Sequence, residues 1–127
     1  MAKITLGKRP QFIEATITAT LPDGTVGSIK ARYKYRTRTE FGQMIDQRMA
    51  EARTEAPAEP ADFSVANMQR QARDANAAYL LDILDGSDLD NDLDIDTATQ
   101  LCDEAPGMAQ ALIDGYRMAV TEGRLGN

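Results

Sequence analysis

Two stretches of strict alternation, separated by a turn that can take only a few shapes, constrain this chain more than any other feature. The run from Phe12 to Leu21 is rich in β-branched residues and puts Ile13, Ala15, Ile17, Ala19 and Leu21 on one side, with Glu14, Thr16, Thr18 and Thr20 on the other. Pro22-Asp23-Gly24-Thr25 follows, in which proline presets φ and glycine admits positive φ. Alternation then resumes through Tyr35, with Gly27, Ile29, Ala31, Tyr33 and Tyr35 on one face and Ser28, Lys30, Arg32 and Lys34 on the other. A β-hairpin with one buried side is the expected result, and Ile4 and Leu6 are read as a short third strand.

The period then changes from two to that of a helix. Thr37 and Glu40 have capping-box spacing, and Phe41, Met44, Ile45, Met49 and Ala52 recur on one face, so a helix is expected from about Arg38 to Arg53. Residues 54–63, with two prolines among Ala and Glu, read as a linker. Ser64 is placed as N-cap of a long helix ending at Gly86, with Val65, Met68, Ala72, Ala75, Tyr79, Leu80, Ile83 and Leu84 as its apolar stripe. An acidic loop from Ser87 leads to a short helix capped by Asp94 or Asp96, with Ala98, Leu101 and Cys102 inward. Pro106 opens a last helix that turns Ala109, Leu112, Ile113, Tyr116 and Val120 to the core and stops near Gly123. The expected fold is therefore α+β: one domain over residues 1–127, an N-terminal antiparallel hairpin or small sheet packed with three to four helices.

The absence of histidine among 127 residues, and a single cysteine, remove whole classes of chemistry. No internal disulfide can form, the usual general base near neutral pH is missing, and Ser-His and Cys-His nucleophiles and nearly all zinc sites are excluded. Cys102 is read as a small buried hydrophobe whose acidic neighbours Asp103 and Glu104 oppose thiolate formation. No phosphate-binding glycine loop or nucleophile elbow is found, which leaves only carboxylate-based catalysis formally open and favours a non-enzymatic role with no cofactor. No apolar run approaches a membrane span, and no secretory signal is indicated at Met1–Leu6, so a cytoplasmic protein is expected.

Net charge is −6, and it is unevenly divided. Residues 1–53 carry 10 basic and 5 acidic side chains, a net of +5, whereas residues 54–127 carry 4 and 15, a net of −11. Lys30, Arg32, Lys34, Arg36 and Arg38 alternate and form a positive stripe if the second strand runs that far. A stripe of this kind suits phosphates, as in β-ribbon nucleic-acid readers, although the acidic half opposes such binding. Asp88, Asp90, Asp92, Asp94 and Asp96 resemble the start of a calcium loop, but counting from Asp92 the sixth position is Thr97 rather than the required glycine. A third reading joins the two signs: the basic Lys30, Arg32 and Lys34 of one subunit meet Asp88, Asp90 and Asp92 of the next, head to tail, in an oligomer that closes into a ring.

Several segments, taken in order, resemble the tail assembly chaperones of long-tailed bacteriophages. They are the opening Met1-Ala-Lys-Ile-Thr-Leu6, the hairpin, Tyr35-Arg-Thr-Arg-Thr-Glu40, Asp85-Gly-Ser-Asp-Leu-Asp90, Leu101-Cys-Asp-Glu-Ala-Pro-Gly107 and a closing helix with Tyr116. The family often has an aromatic residue, typically Trp, where this chain has Ser87, and the linker and the helix after Ser64 are expanded relative to shorter members. The resemblance implies a chaperone that coats the tape measure protein, helps recruit tail tube protein, acts in the host cytoplasm and is absent from the finished virion. It also implies that members are often made in two lengths by ribosomal frameshifting. Flexible methionines suit transient coating, and Met44, Met49, Met68, Met108 and Met118 are the candidates for it.

Overall fold

The computed structural model describes residues 3–55, 64–89 and 92–123. Its elements are β1 (Phe12–Thr20), β2 (Val26–Lys34), α1 (Arg38–Glu55), α2 (Val65–Ile83), β3 (Leu84–Ser87), α3 (Ile95–Glu104) and α4 (Pro106–Glu122). The architecture is α+β, an antiparallel sheet of order β1-β2-β3 with helices packed on one face.

The hairpin forms as its alternation dictates. All nine residues of β1 pair with β2, from Phe12 opposite Lys34 to Thr20 opposite Val26. The turn is closed by Leu21 N–H to Thr25 O at 2.7 Å and Gly24 N–H to Leu21 O at 2.9 Å. Gly24 takes φ +89, and Asp23 Oδ1 accepts from both the Thr25 hydroxyl (2.6 Å) and amide (3.0 Å). Ile17, Ile29, Ala31 and Tyr33 are buried on the inner face, while Ile13, Ala15 and Ala19 are partly buried at its margin.

Third-strand identity differs from the sequence expectation. Ile4 and Leu6 are 87% and 93% exposed and join no strand among the described residues; two apolar residues ahead of a glycine turn (Gly7, φ +86) gain too little from burial to order a strand. The third strand is instead Leu84–Ser87, so α2 stops at Ile83, not at Gly86. The apolar period carries through Leu84 in either conformation, but β2 has open backbone groups on that side. β3 takes them in a register of Ala31 opposite Ser87, Arg32 opposite Gly86 and Tyr33 opposite Leu84. The shift between Arg32 and Tyr33 leaves Asp85 as the extra residue, which pairs with Arg32 at 3.0 Å.

Helix starts follow their caps. Thr37 N–H donates to Glu40 Oε1 (2.9 Å) and Glu40 N–H to Thr37 Oγ1 (3.2 Å), the reciprocal box. Ser64 caps α2 through Asn67 N–H at 3.0 Å, and Asp94, not Asp96, caps α3 through Thr97 N–H at 2.8 Å. α4 has Pro106 in its first turn and ends on Gly123 at φ +69. α1 extends through Glu55, two residues into the expected linker; residues 56–63 lie outside the described residues.

The core joins both sides of the sequence. Tyr33, Tyr116, Leu80, Ile83 and Leu112 are its largest fully buried side chains, each contributing on the order of 1.5–3 kcal/mol by burial. Tyr33 Oη donates to Leu112 O at 2.7 Å, fastening β2 to α4. Gly115 lets α4 sit close to the sheet: a methyl there would lie 2.8 Å from Ile17 Cδ1 and 3.0 Å from Tyr33 Oη.

Candidate functional site

The charged residues singled out in the sequence do not form one long stripe. β2 ends at Lys34, so only Lys30, Arg32 and Lys34 share the outer face of the sheet, all three exposed. Arg36 turns inward instead, with Nη2 2.9 Å from Asp82 Oδ1 and Nη1 3.0 Å from Tyr116 Oη, and Arg38 opens α1. Arg32 is engaged by Asp85 and lies 4.8 Å over the Phe12 ring. Lys34 Nζ approaches Leu81 O at 3.5 Å.

Asp88 lies beside this stripe within the same chain. Its carboxylate accepts from Lys30 N–H at 2.8 Å and its own N–H donates to Lys30 O at 3.2 Å. Basic and acidic groups are thus neighbours on one face, bordering an open depression lined by Glu14, Thr16, Lys30, Arg32, Gly86 and Asp88. Asp92 is exposed, and Asp90 lies outside the described residues. Asp94 is used as a cap, and hydrogen bonds from Thr97 hold its carboxyl below the usual range. Among the described residues no three acidic or cysteine side chains converge as a metal-binding group.

A second cluster went unnoticed in the sequence. Asp82 of α2 is held between Arg36 and Arg48, with Arg48 Nη2 3.0 Å from Oδ2. Arg48 also donates to Ala78 O at 2.9 Å and packs 4.9 Å over the Tyr79 ring. Tyr116 completes the joint, accepting from Arg36 and donating to Lys34 O at 2.9 Å, with Phe41 and Tyr33 against its ring. A signal existed: Arg48 falls between Ile45 and Met49 on the apolar side of α1, and Asp82 sits in the run Leu80–Ile83, two opposite charges on faces otherwise meant for the core.

Beyond this joint both helices leave the body of the protein. Residues 49–53 of α1 and 65–72 of α2 are exposed all round. Of the stripe expected to be core, Val65 (65%), Met68 (45%), Ala72 and Ala75 face solvent, as do Met49 (52%) and Ala52. The fully buried positions end at Ala77 in α2, which packs mainly on α3, and at Met44 in α1. The five methionine candidates therefore separate: Met44 and Met108 are buried, Met118 is half-buried, and Met49 and Met68 are exposed.

Cys102 is buried, and that burial pushes its thiol up to about 11, with Arg73 opposing weakly. Desolvation therefore supplies the effect that the sequence reading assigned to neighbouring carboxylates. No helix among the described residues is long and apolar enough to cross a membrane.

These features define a class: a small α+β chain with charged groups on an exposed sheet face and exposed apolar side chains at the ends of two helices. The family model for phage tail assembly chaperones matches residues 1–127, and the chain belongs to that family. No curated protein and no solved structure matched the chain.

Proposed function

We propose that this chaperone binds the tape measure protein through the projecting ends of α1 and α2 and helps bring tail tube protein to it, without catalysing a reaction. The observation that carries the reading is the exposure of Met49, Val65 and Met68 on helical segments that stand clear of the core. Thioether and small apolar side chains adapt to many partner surfaces, giving repeated weak contacts that hide apolar segments from water and still release. Release by arriving tube subunits needs such contacts, and it accounts for absence from the finished virion after work in the bacterial cytoplasm.

The mixed-charge face of Lys30, Lys34 and Asp88 supplies a second contact, for a protein partner of complementary charge, that weakens with salt. Nucleic acid is a poorer fit, because Asp85 and Asp88 intrude on a stripe of only three cations.

Co-expression with the tape measure protein of the same phage tests the client surface. The combined Met49→Gln, Val65→Gln and Met68→Gln variant should fold and melt as the wild type does, yet leave the tape measure protein insoluble. A variant that keeps its client in solution as well as the wild type does would refute the assignment.

A further inference from the structure

The two edges of the sheet are treated differently. On the β2 side, β3 lies alongside Ala31–Tyr33, and Asp88 takes both the N–H and the C=O of Lys30. On the other side no strand among the described residues pairs with β1. The bonds Tyr35 N–H to Gln11 O and Leu21 N–H to Thr25 O, with the register between them, turn the polar groups of the odd-numbered residues toward β2. The N–H and C=O groups of Phe12, Glu14, Thr16, Thr18 and Thr20 therefore point outward, and no partner for them is found among the described residues. This edge is nine residues long and unbulged, with Glu14 as its lone charge and no Pro, Lys or Arg within it. Monomeric proteins usually protect such an edge with those very devices.

We propose that the β1 edge pairs with the β1 edge of a second copy, antiparallel about a two-fold axis at Thr16, making one continuous six-stranded sheet. In that register Phe12 faces the partner's Thr20, Glu14 faces the partner's Thr18, and Thr16 faces its own counterpart. All five outward residues are satisfied by about ten hydrogen bonds. Centring the axis on Glu14 instead would oppose two carboxylates and shorten the pairing, so charge selects the register. On the inner face Ile13, Ala15 and Ala19, partly buried at the rim of one core, come to rest against the same residues of the other. α4 runs over the inner face of β1, from its Thr20 end, where a methyl on Gly107 would lie 3.5 Å from Thr20 O, past Ile17 to Lys34 of β2. The two copies of α4 start at opposite ends of the paired strands. The interface is separate from the helical ends assigned to the client, so either assignment can fail alone.

Sedimentation of the full chain, combined with amide exchange, tests the pairing. The wild type should sediment at twice its 13.9 kDa chain mass, and the outward amides of Glu14, Thr16 and Thr18 should be as protected as the inward ones of Ile13, Ala15 and Ile17. Thr16→Lys, with its side chain on the solvent face, and Thr16→Pro, which removes an outward N–H, should each sediment at the chain mass with unchanged circular dichroism. If the proline variant fails to fold, the lysine variant alone decides. A wild type at the chain mass with rapidly exchanging outward amides overturns the proposal, as does a dimer that survives these substitutions. Protection of those amides that appears only when another protein is added also overturns it, by assigning the edge to a different occupant.

Discussion

The hydroxyls of Tyr33 and Tyr116 do different work although their rings touch, at 5.2 Å between centroids. Tyr33 Oη is buried and donates to Leu112 O of α4, so Tyr33→Phe should cost about 1–2 kcal/mol, read as a lower urea midpoint with unchanged slope. Tyr116 is as buried as Tyr33, but its Oη partners are Lys34 O and Arg36, which keeps its bonds to Asp82 when the hydroxyl is removed, so its loss should cost less. Asp82 is the more sensitive position. Asp82→Ala leaves Arg36 and Arg48 facing each other with their guanidinium groups only about a fifth exposed. A loss of about 2–3 kcal/mol is expected, below the range for fully buried pairs because Asp82 itself is a third exposed. Double substitution of Arg48 and Asp82 should cost less than the sum of the singles, as a thermodynamic cycle would measure.

At the scale of elements, α4 is seated by what Gly115 lacks. Gly115→Ala gains roughly 1 kcal/mol of helix propensity. It also drives a methyl to 2.8 Å from Ile17 Cδ1 and 3.0 Å from Tyr33 Oη, a clash that should outweigh the gain and lower the melting temperature. Ile17→Val in the same chain should recover part of the loss, because it removes the nearer atom. The elements themselves were legible wherever periodicity and a cap agreed: the hairpin by alternation, α1 by Thr37 and Glu40, α2 by Ser64, α4 by Pro106 and Gly123. β3 was not, because Leu84–Ser87 continues a helical stripe and becomes a strand only through the open side of β2, a tertiary cause. The same limit applies to the candidate site. Lys30, Arg32 and Lys34 follow from alternation, but the inward turn of Arg36 depends on Asp82, 46 residues away. Helical spacing placed Tyr79, Leu80, Ile83 and Leu84 on the inner side, yet spacing carries no information about where the packing partner of α2 ends, and half of the stripe lies in solvent.

For the whole molecule, titration should bound stability on both sides. Hydrogen bonds at the caps and turn hold the carboxyls of Glu40, Asp94 and Asp23 below their ordinary values. Their contribution is complete above the unfolded carboxylate range and is lost as pH falls through the lower folded values, which places the acid limb below about pH 4. Burial raises Cys102 from 9.0 to about 11 and raises Tyr33, Tyr79 and Tyr116 as well. Here the unfolded chain ionises first, so stability declines as pH rises above about 9. Urea midpoints measured across pH should show a plateau between these limbs, and Cys102→Ala should move the onset of the alkaline decline upward toward the tyrosine range. The joint of Arg48, Asp82 and Tyr79 also divides the chain by what constrains its sequence. Everything on the sheet side must satisfy a shared interior, whereas positions 49–53 and 65–72 answer only to helix formation and to the client surface proposed above. On that proposal a phage lineage can rewrite those two stretches to follow a drifting partner while the core of the body stays constrained.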